Sequence, residues 1–487
     1  MPCTNPPDND PLVANPTYLG NIRYFFNAQD IGCMGPRGID LSTYAGVKSH
    51  ASNIYLQTQS GNMPDGGQCW SSNRVQTFLN WITTGYPMGT APAQPAARLA
   101  EAGAGARLRK NIVDLSGSEL NALVAAFHGI LALDPSDPNS YYNVASMHGV
   151  PHLYCMHHVP PFTAWHRLYM KQFEDALRSI AGCADVTLPY WDFTTQAPDL
   201  LYQAPFGAYT VPVELPGYGS NYTTQRFDAA TIYSNYQQAP SIASSVDEAL
   251  SQAQFGGYQA GGFDQYLIEG HDNAHNEAGP TLQNSDVASY DPIFWFFHCN
   301  WDRLWLSWQV LADATTLAGF KSTLAGNTGW LGLPLQPYTA TSADTISMPE
   351  IAYDKLETPT TAMLTNKAGH IDASRSFTIA KSARVSVRVK DINRLNIPGT
   401  FVVRLFGDGE QVARQAFFQP REPRECPTCQ KQALVSVDFR VEQEKLQGKK
   451  LSIAIEANAL GVGEEGRFPL SQAGNPTINA RLLLEDN

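Results

Sequence analysis

The sequence predicts a mainly α-helical protein: an antiparallel helical bundle, preceded by an N-terminal helical module and followed by a C-terminal β-sandwich. Three observations predict it. Apolar residues recur at helical spacing, behind cap and proline signals, through residues 17–340. From about Ser374 the period switches to two. Nine of the eleven histidines lie between 128 and 298, inside the helical stretch.

The elements follow in chain order. Residues 1–16 are rich in Pro, Asn and Asp and read as a flexible tail. Residues 17–95 read as a helical module, with Ser72 to Trp81 its clearest helix. Its Gly61-Asn62-Met63-Pro64 turn, followed by Trp70 and Phe78, resembles the helical core of small c-type cytochromes. No CxxCH occurs anywhere, so the module is read as packing or interface structure without a cofactor. In residues 96–340, Leu115-Ser116-Gly117-Ser118-Glu119 leads into the helical run LNALVAAFHGILAL. Thr163 reads as the cap of a helix running through MKQFEDALRSI. Asp291-Pro292 places a cap and an N1 proline ahead of IFWFFHCNWDRLWLSWQVL. Residues 341–373 read as a Thr/Ser/Pro-rich linker. In 374–487, Val385 to Val389, Val435 to Phe439 and Leu451 to Ile455 alternate strictly, as strands of a sandwich do.

Composition bounds the function. Hydrophobic residues make up 43% of 487 residues and charged residues 16%, enough for a large core and unlike a disordered chain. The balance of 33 basic against 45 acidic residues, with no basic run, argues against a nucleic-acid partner. No run of eighteen apolar residues occurs, so no membrane span is expected. The N-terminus lacks a charged region followed by an apolar one, so as written the chain reads as cytoplasmic, or as secreted after removal of a leader. Cys426-Pro427-Thr428-Cys429 is an isolated CxxC, open to a structural zinc, a local disulfide or two free thiols.

The histidines fall into two packets. In the second, His271 and His275 are four apart, which on a helix sets both imidazoles on one face. His298 then lies within the aromatic helix opened by Asp291-Pro292. In the first, His148, His157 and His166 are spaced by nine and nine. Three imidazoles without a chelating carboxylate pattern suit copper, zinc or iron. The sequence HDNAH lacks the glutamate of HExxH, which argues against a zinc peptidase. A histidine pair four apart is common by itself, whereas two packets of three are not. His128 reads as helix packing, His50 and His370 as isolated, and His152 and His158 as spares beside the ligands or exposed.

With these residues in place, FTAWHRLYMKQFE (162–174) resembles the first copper site of tyrosinases, catechol oxidases and molluscan hemocyanins. HDNAH (271–275) followed by DPIFWFFHCNWDRLW (291–305) resembles their second, and LPYWDFT (188–194) the turn between them. The resemblance spans roughly residues 107–310 and, more weakly, the C-terminal β-domain. It implies that the bundle holds two copper ions, one on His148, His157 and His166 and the other on His271, His275 and His298. Cys155, two before His157, matches the position of a Cys–His thioether in fungal and molluscan relatives; an ordinary buried thiol is the alternative. Phe162 matches an aromatic packed near the copper pair.

The sequence also departs from the family pattern. Phe297-His298 replaces a His-His pair, and Asp272 stands where many members have Asn. Ile268 occupies the place of a water-holding glutamate, with Glu269 one residue nearer the ligand.

The resemblance implies oxidation of phenols or o-diphenols to o-quinones, with O2 as co-substrate and a small phenol as partner. Monophenol hydroxylation would use a water held by Glu269 or Asp272, and Asn276 is expected at the substrate entrance. Asp302, Asn300 and backbone carbonyls are candidates to orient the imidazoles, with an Asp302 salt bridge to Arg303 or Arg167 as the alternative. Phe417-Phe418-Gln419-Pro420 is a candidate tip by which the β-domain covers the site, or else strand end and core. The competing functions are a hemocyanin-like O2 carrier and an o-aminophenol oxidase; an oligomer is compatible with all three. Carriers are usually repeated modules and the sequence holds one copy of the paired packets, which favours an enzyme.

Overall fold

Short polar caps start several helices of this chain, among them those that follow Ser71, Ser116 and Ser140. The computed structural model describes residues 106–359 and 384–483, apart from 239–240, 258–260, 325–327 and 462–464. Between 10 and 88 it describes all but 11, 19–20, 27–29, 31–33, 35–38, 40, 42–43 and 64–68. The chain divides into two units, Met1–Gly103 and Ala104–Asn487.

In the first unit, α1 (Tyr44–Ser49), α2 (Ala51–Gln59) and α3 (Ser72–Thr83) surround Trp70, Phe78 and Trp81. The Ser71 hydroxyl caps α3 by accepting the Arg74 amide at 3.0 Å. Cys69 is disulfide-bonded. Most of the expected tail lies outside the described residues.

The second unit opens with β1 (Arg107–Arg109), followed by α4 (Gly117–Ala132) and α5 (Tyr141–Ala145). The α4 start is a capping box between Ser116 and Glu119, as the sequence signal anticipates. Three long helices carry the site: α6 (Phe162–Arg178), α9 (Phe263–Glu277) and α10 (Ile293–Leu311). The shorter α7 (Ala229–Tyr236) and α8 (Ile242–Leu250) precede α9. Thr163 does not cap α6: the helix begins at Phe162 behind Pro161, and Thr163 is buried within its first turn. Pro161, with φ already fixed, starts the turn instead. Asp291 does serve α10, its carboxylate accepting the Ile293 amide at 3.2 Å, but Pro292 is the cap residue and not the first residue of the helix, which starts at Ile293. The helices pack through nested aromatics, among them Phe173 stacked on Trp295 at 3.7 Å between α6 and α10.

Residues 341–373 are not a bare linker. They hold α12 (Ser342–Ile346), after α11 (Leu317–Ser322), and β2 (Ile351–Tyr353), which pairs in parallel with β1. The Thr/Ser content that suggests a loop is partly a helix cap, because Thr341 and Asp344 form a second capping box. Residues 360–383 lie outside the described residues.

The β-domain consists of β3 (Arg384–Asn393), β4 (Phe401–Gly407), β5 (Glu410–Phe417), β6 (Leu434–Glu442), β7 (Leu451–Ala457), β8 (Arg467–Phe468) and β9 (Thr477–Leu483). They form sheets of order β6-β3-β9 and β5-β4-β7-β8, enclosing Val387, Val389, Val403, Leu405, Phe439 and Ile455. The three alternating segments of the sequence are β3, β6 and β7. Strand β5 is the outer strand of its sheet, and α9 lies against it.

The segment around His148 is pinned by a close backbone approach: the Val150 amide donates to Asp286 O at 2.9 Å. A Cβ on Gly149 would stand 2.0 Å from that carbonyl oxygen, closer than any real contact. Gly149→Ala is therefore expected to destabilise the folded protein by about 1–3 kcal/mol, checked by chemical denaturation. An unchanged midpoint would show that the segment yields freely.

Candidate metal centre

The site grows from one turn of α6. Phe162 and His166 are four apart, and His166 Nδ1 lies 2.9 Å from Phe162 O. That bond assigns the ring proton to Nδ1 and leaves Nε2 as a lone pair pointing away from the backbone. On α9, His275 Nδ1 lies 2.8 Å from Leu282 O, and His271 Nδ1 lies 3.0 Å from the Asp272 carboxylate. The same assignment holds for both. His298 comes from α10, and its Nε2 stands 3.1 Å from His275 Nε2. His148 and His157 come from the irregular stretch between α5 and α6.

The six imidazoles share one buried centre. His271, His275 and His298 offer ligand atoms within 4.8 Å of one another, and so do His148, His166 and His298. His148, Cys155 and His157 form a third such group. Ring centroids of His148, His157 and His166 lie 5.0, 5.7 and 5.2 Å apart in their three pairs. Between the two packets, His166 stacks on His298 at 4.7 Å and His157 lies 5.6 Å from His271. None of the six is more than 5% exposed.

Burial pushes the imidazoles towards the neutral form, His166 down to about 4 and His275 down to about 3. His148, His157, His271 and His298 are also held well below the usual range, by burial first and by neighbouring imidazoles second. Neutral rings present lone pairs. The Nε2 atoms of His157, His166 and His271 are buried without a hydrogen-bond partner. Such orphaned acceptors are costly unless an ion takes them up, so the donor set fits a pair of metal ions held by nitrogen ligands.

The remaining expected residues divide. Phe162 packs against His166, His271 and His157, at 4.6, 4.9 and 5.8 Å. Asp272 is at the centre, but it orients His271 and also binds His158 Nε2 at 2.7 Å. Glu269 is not brought to the imidazoles. Two residues before His271 it projects from another face of α9, where Gln265 donates to it at 2.9 Å and also to Asp438 of β6 at 3.0 Å. Asn276 accepts from Asn458 of the β-domain at 2.8 Å, so it faces that domain.

Asp302 and Asn300 orient no imidazole. Asp302 binds Arg167 and Arg109, and Asn300 accepts from Arg303 at 2.7 Å. Backbone carbonyls and Asp272 take that role instead. His158 is buried, whereas His128 and His152 are exposed, and His370 lies outside the described residues. Cys426 and Cys429 are free thiols, with Arg394 donating to Cys429 Sγ at 3.2 Å.

The sequence only hinted at the roof of the site. Phe418, just beyond β5, stacks face to face on His275 at 4.1 Å and 15°, and it is wholly buried. Its ring lies 5.2 Å from His157 and 5.8 Å from His271.

A helical bundle that converges six buried neutral imidazoles on one centre defines a paired-metal protein with nitrogen ligands. Residues 138–208 and 201–311 match the family model for the common central domain of tyrosinase. Among curated relatives, hemocyanin units G and H of Sepia officinalis are 33% identical over 225 residues, covering 42% of this chain and 38% of that protein. Hemocyanin type 2 unit e of Rapana venosa is 31% identical over 235 residues, covering 42% and 54%. The chain spans 20% to 58% of the length of the first relatives it matches. A tyrosinase from Burkholderia thailandensis shares the fold with a TM-score of 0.59 at 17% identity, over 77% of this chain and all of that one. An octopus hemocyanin functional unit does so at 0.57 and 21% identity, over 77% and 99%. Residues 138–311 thus form a tyrosinase-type central domain of the kind shared by tyrosinases and hemocyanins, a type-3 copper family whose members bind two copper ions.

Two outcomes are expected of the site. Replacing His275 with Ala should lower copper in the reconstituted protein from two ions per chain to one or fewer by metal quantitation; two retained ions would refute the ligand assignment. Glu269 is only partly buried, yet desolvation raises its carboxyl to about 8, against the lowering effect of Gln265 and with Asp438 and Glu248 adding to the rise. The folded state then keeps a proton that the unfolded chain has lost, so stability falls as pH rises from the ordinary carboxylate range towards 8. Thermal melts of Glu269→Gln should show a smaller drop between pH 5 and 8 than the parent protein; parallel curves would count against it.

Proposed function

We propose that the protein is a copper-dependent oxidase that converts o-diphenols to o-quinones with O2, and that its β-domain covers the site in the form described. The observation that carries this reading is the convergence of six neutral, buried imidazoles, five of them with an unpartnered nitrogen. His148, His157 and His166 would hold one copper, and His271, His275 and His298 the other. Bound copper supplies a two-electron couple between diphenol and O2. Cys155 is grouped with His148 and His157, which supports a Cys155–His157 thioether that would fix that ring.

The Phe418 ring supports a phenol over other substrates. It is itself a six-membered aromatic lying face-on against His275, with Phe294 tilted at 36° against the neighbouring His298 at 4.1 Å. A phenol in the same place would have its ring held by stacking, and its hydroxyl side would face the imidazole cluster. Orientation and exclusion of water are thus the protein's contribution.

Removal of a monophenol proton has weaker support. Glu269 faces Gln265, and both oxygens of Asp272 are already engaged. The proposed chemistry therefore stops at o-diphenols and the isoelectronic o-aminophenols. The second reading, a covered O2 carrier, is favoured by the complete burial of His148, His271, His275 and His298 and by the hemocyanin relatives.

Oxygen uptake by the copper-loaded protein separates the two. Catechol should be oxidised slowly by the intact chain, and at least tenfold faster by Phe418→Ala or after limited proteolysis, with tyrosine far behind. Reversible O2 binding without turnover in any form would select the carrier. Copper far below two per chain would reject both.

A further inference from the structure

One carboxylate serves both the metal centre and its roof. Asp272 Oδ1 takes the His271 ring at 3.0 Å. Its Oδ2 takes His158 Nε2 at 2.7 Å and also accepts the Phe418 amide at 3.0 Å. Asp272 and His158 are each 1% exposed, so water is no competitor for these bonds. The next residue continues the pattern: Asn273 accepts the Ala416 amide at 2.8 Å and donates to the Gln415 side chain at 3.1 Å.

These amides belong to the outer strand of a sheet and the residue just beyond it, and two side chains of α9 receive them. An exposed strand edge is normally a pairing hazard; here its bonds run into the helix that carries His271. The rings repeat the arrangement. Phe417 stacks on His158 at 3.9 Å and 16°, and Phe401 backs it from within the β-domain at 4.9 Å. Two consecutive phenylalanines therefore each cover an imidazole: Phe417 covers His158 and Phe418 covers His275.

We propose that Asp272 is a positioning residue shared by His271 and the lid, with His158 as its third partner, so that seating of residues 416–418 and orientation of a metal ligand are coupled through one carboxylate. The coupling rests on the reading of these residues as a lid over a copper site, but its geometry does not depend on turnover. A carboxylate has about four acceptor positions on two oxygens, and three are filled. Departure of the lid removes one donor from Oδ2 and the Phe417 ring from His158, so Asp272 must readjust, and His271 with it. An asparagine has only one acceptor oxygen and cannot serve His271 on one side and Phe418 with His158 on the other. The two acceptor oxygens of Asp272 are what make the shared seat available.

Hydrogen exchange of the full chain, metal-free and metal-loaded, tests the seat. In Asp272→Asn the Phe418 amide should exchange at least tenfold faster, with β4 and β7 unchanged. His158→Phe keeps a ring under Phe417 and removes one partner of Asp272, so it should give a smaller acceleration. It also serves if Asp272→Asn fails to fold. Cobalt(II) tests the coupling. Phe417→Ala should shift the visible absorption of cobalt bound at the imidazoles, and in the Asp272→Asn background that shift should vanish. Unchanged exchange at Phe418 in both Asp272→Asn and His158→Phe, or a cobalt spectrum indifferent to Phe417→Ala, overturns the inference even if catechol is oxidised. Failure to oxidise catechol, with both effects present, leaves it standing and removes the oxidase reading alone.

Discussion

The rest of the structure depends on the cost of burying imidazole lone pairs. Six neutral rings meet where water does not reach, and the inward nitrogens of His157, His166 and His271 have no protein partner. An unsatisfied buried polar atom costs on the order of 1–3 kcal/mol, and a cluster of them would sink an ordinary core. Two features meet that cost. Outer nitrogens are anchored to Phe162 O, Leu282 O and Asp272, which fixes ring orientation before any ion arrives. Inner nitrogens are placed for metal, whose binding free energy then stabilises the fold.

Helix register must hold for this to work, and a buried ion network holds it. Arg109, from β1, binds Glu174 of α6 and Asp302 of α10, and Arg167 of α6 binds Asp302 from the other side. Tyr353 of β2 donates to the same Asp302 at 2.6 Å. Such a cluster contributes less to stability than its charges suggest, because desolvation offsets the attraction. Its contribution is specificity. A slip of α6 against α10 would strand a buried charge and would also separate His166 from His298. The short β1–β2 ladder, whose β2 lies in a stretch the sequence presents as linker, is part of this clamp.

The sequence was informative where chemistry imposes spacing, and silent where contacts cross between domains. His271 and His275 could be placed on one helix face because a turn fixes i and i+4, and the strict alternation of β3, β6 and β7 reflects one buried face each. The partners of the imidazoles were only partly visible: a carbonyl such as Leu282 O has no signature in composition. For Asp302 the salt bridge to Arg167, one of the two readings its sequence allowed, is the one formed, while Arg109 and Tyr353 come from distant elements that leave no local signal. His158 looked like a spare beside His157, since nothing local shows that a strand from the β-domain buries it. Glu269 was placed near the metal by its distance along the chain, yet on α9 two residues amount to roughly 200° of rotation. The Cys426–Cys429 pair stayed ambiguous because free and bonded thiols read alike.

On the proposed reading, a lid that is both ring and strand edge sets how often the centre opens. Burying a Phe side chain contributes about 2 kcal/mol. Each of the three amide bonds from Ala416, Phe418 and Arg421 to α9 and Asp286 adds about 1 kcal/mol. Together with the Arg414–Glu277 and Asn458–Asn276 contacts they favour the closed form, so any open form is a minor population. On the oxidase reading, such a population makes the closed chain slow without making it inert, since a diphenol that binds only the open form must draw it from that small fraction. A diatomic gas needs far less room than an aromatic ring, so on the carrier reading the same closed form would take O2 while excluding phenols. Carrier and oxidase therefore differ here less at the metal ligands than in the free energy of a few contacts between α9 and the residues around Phe418.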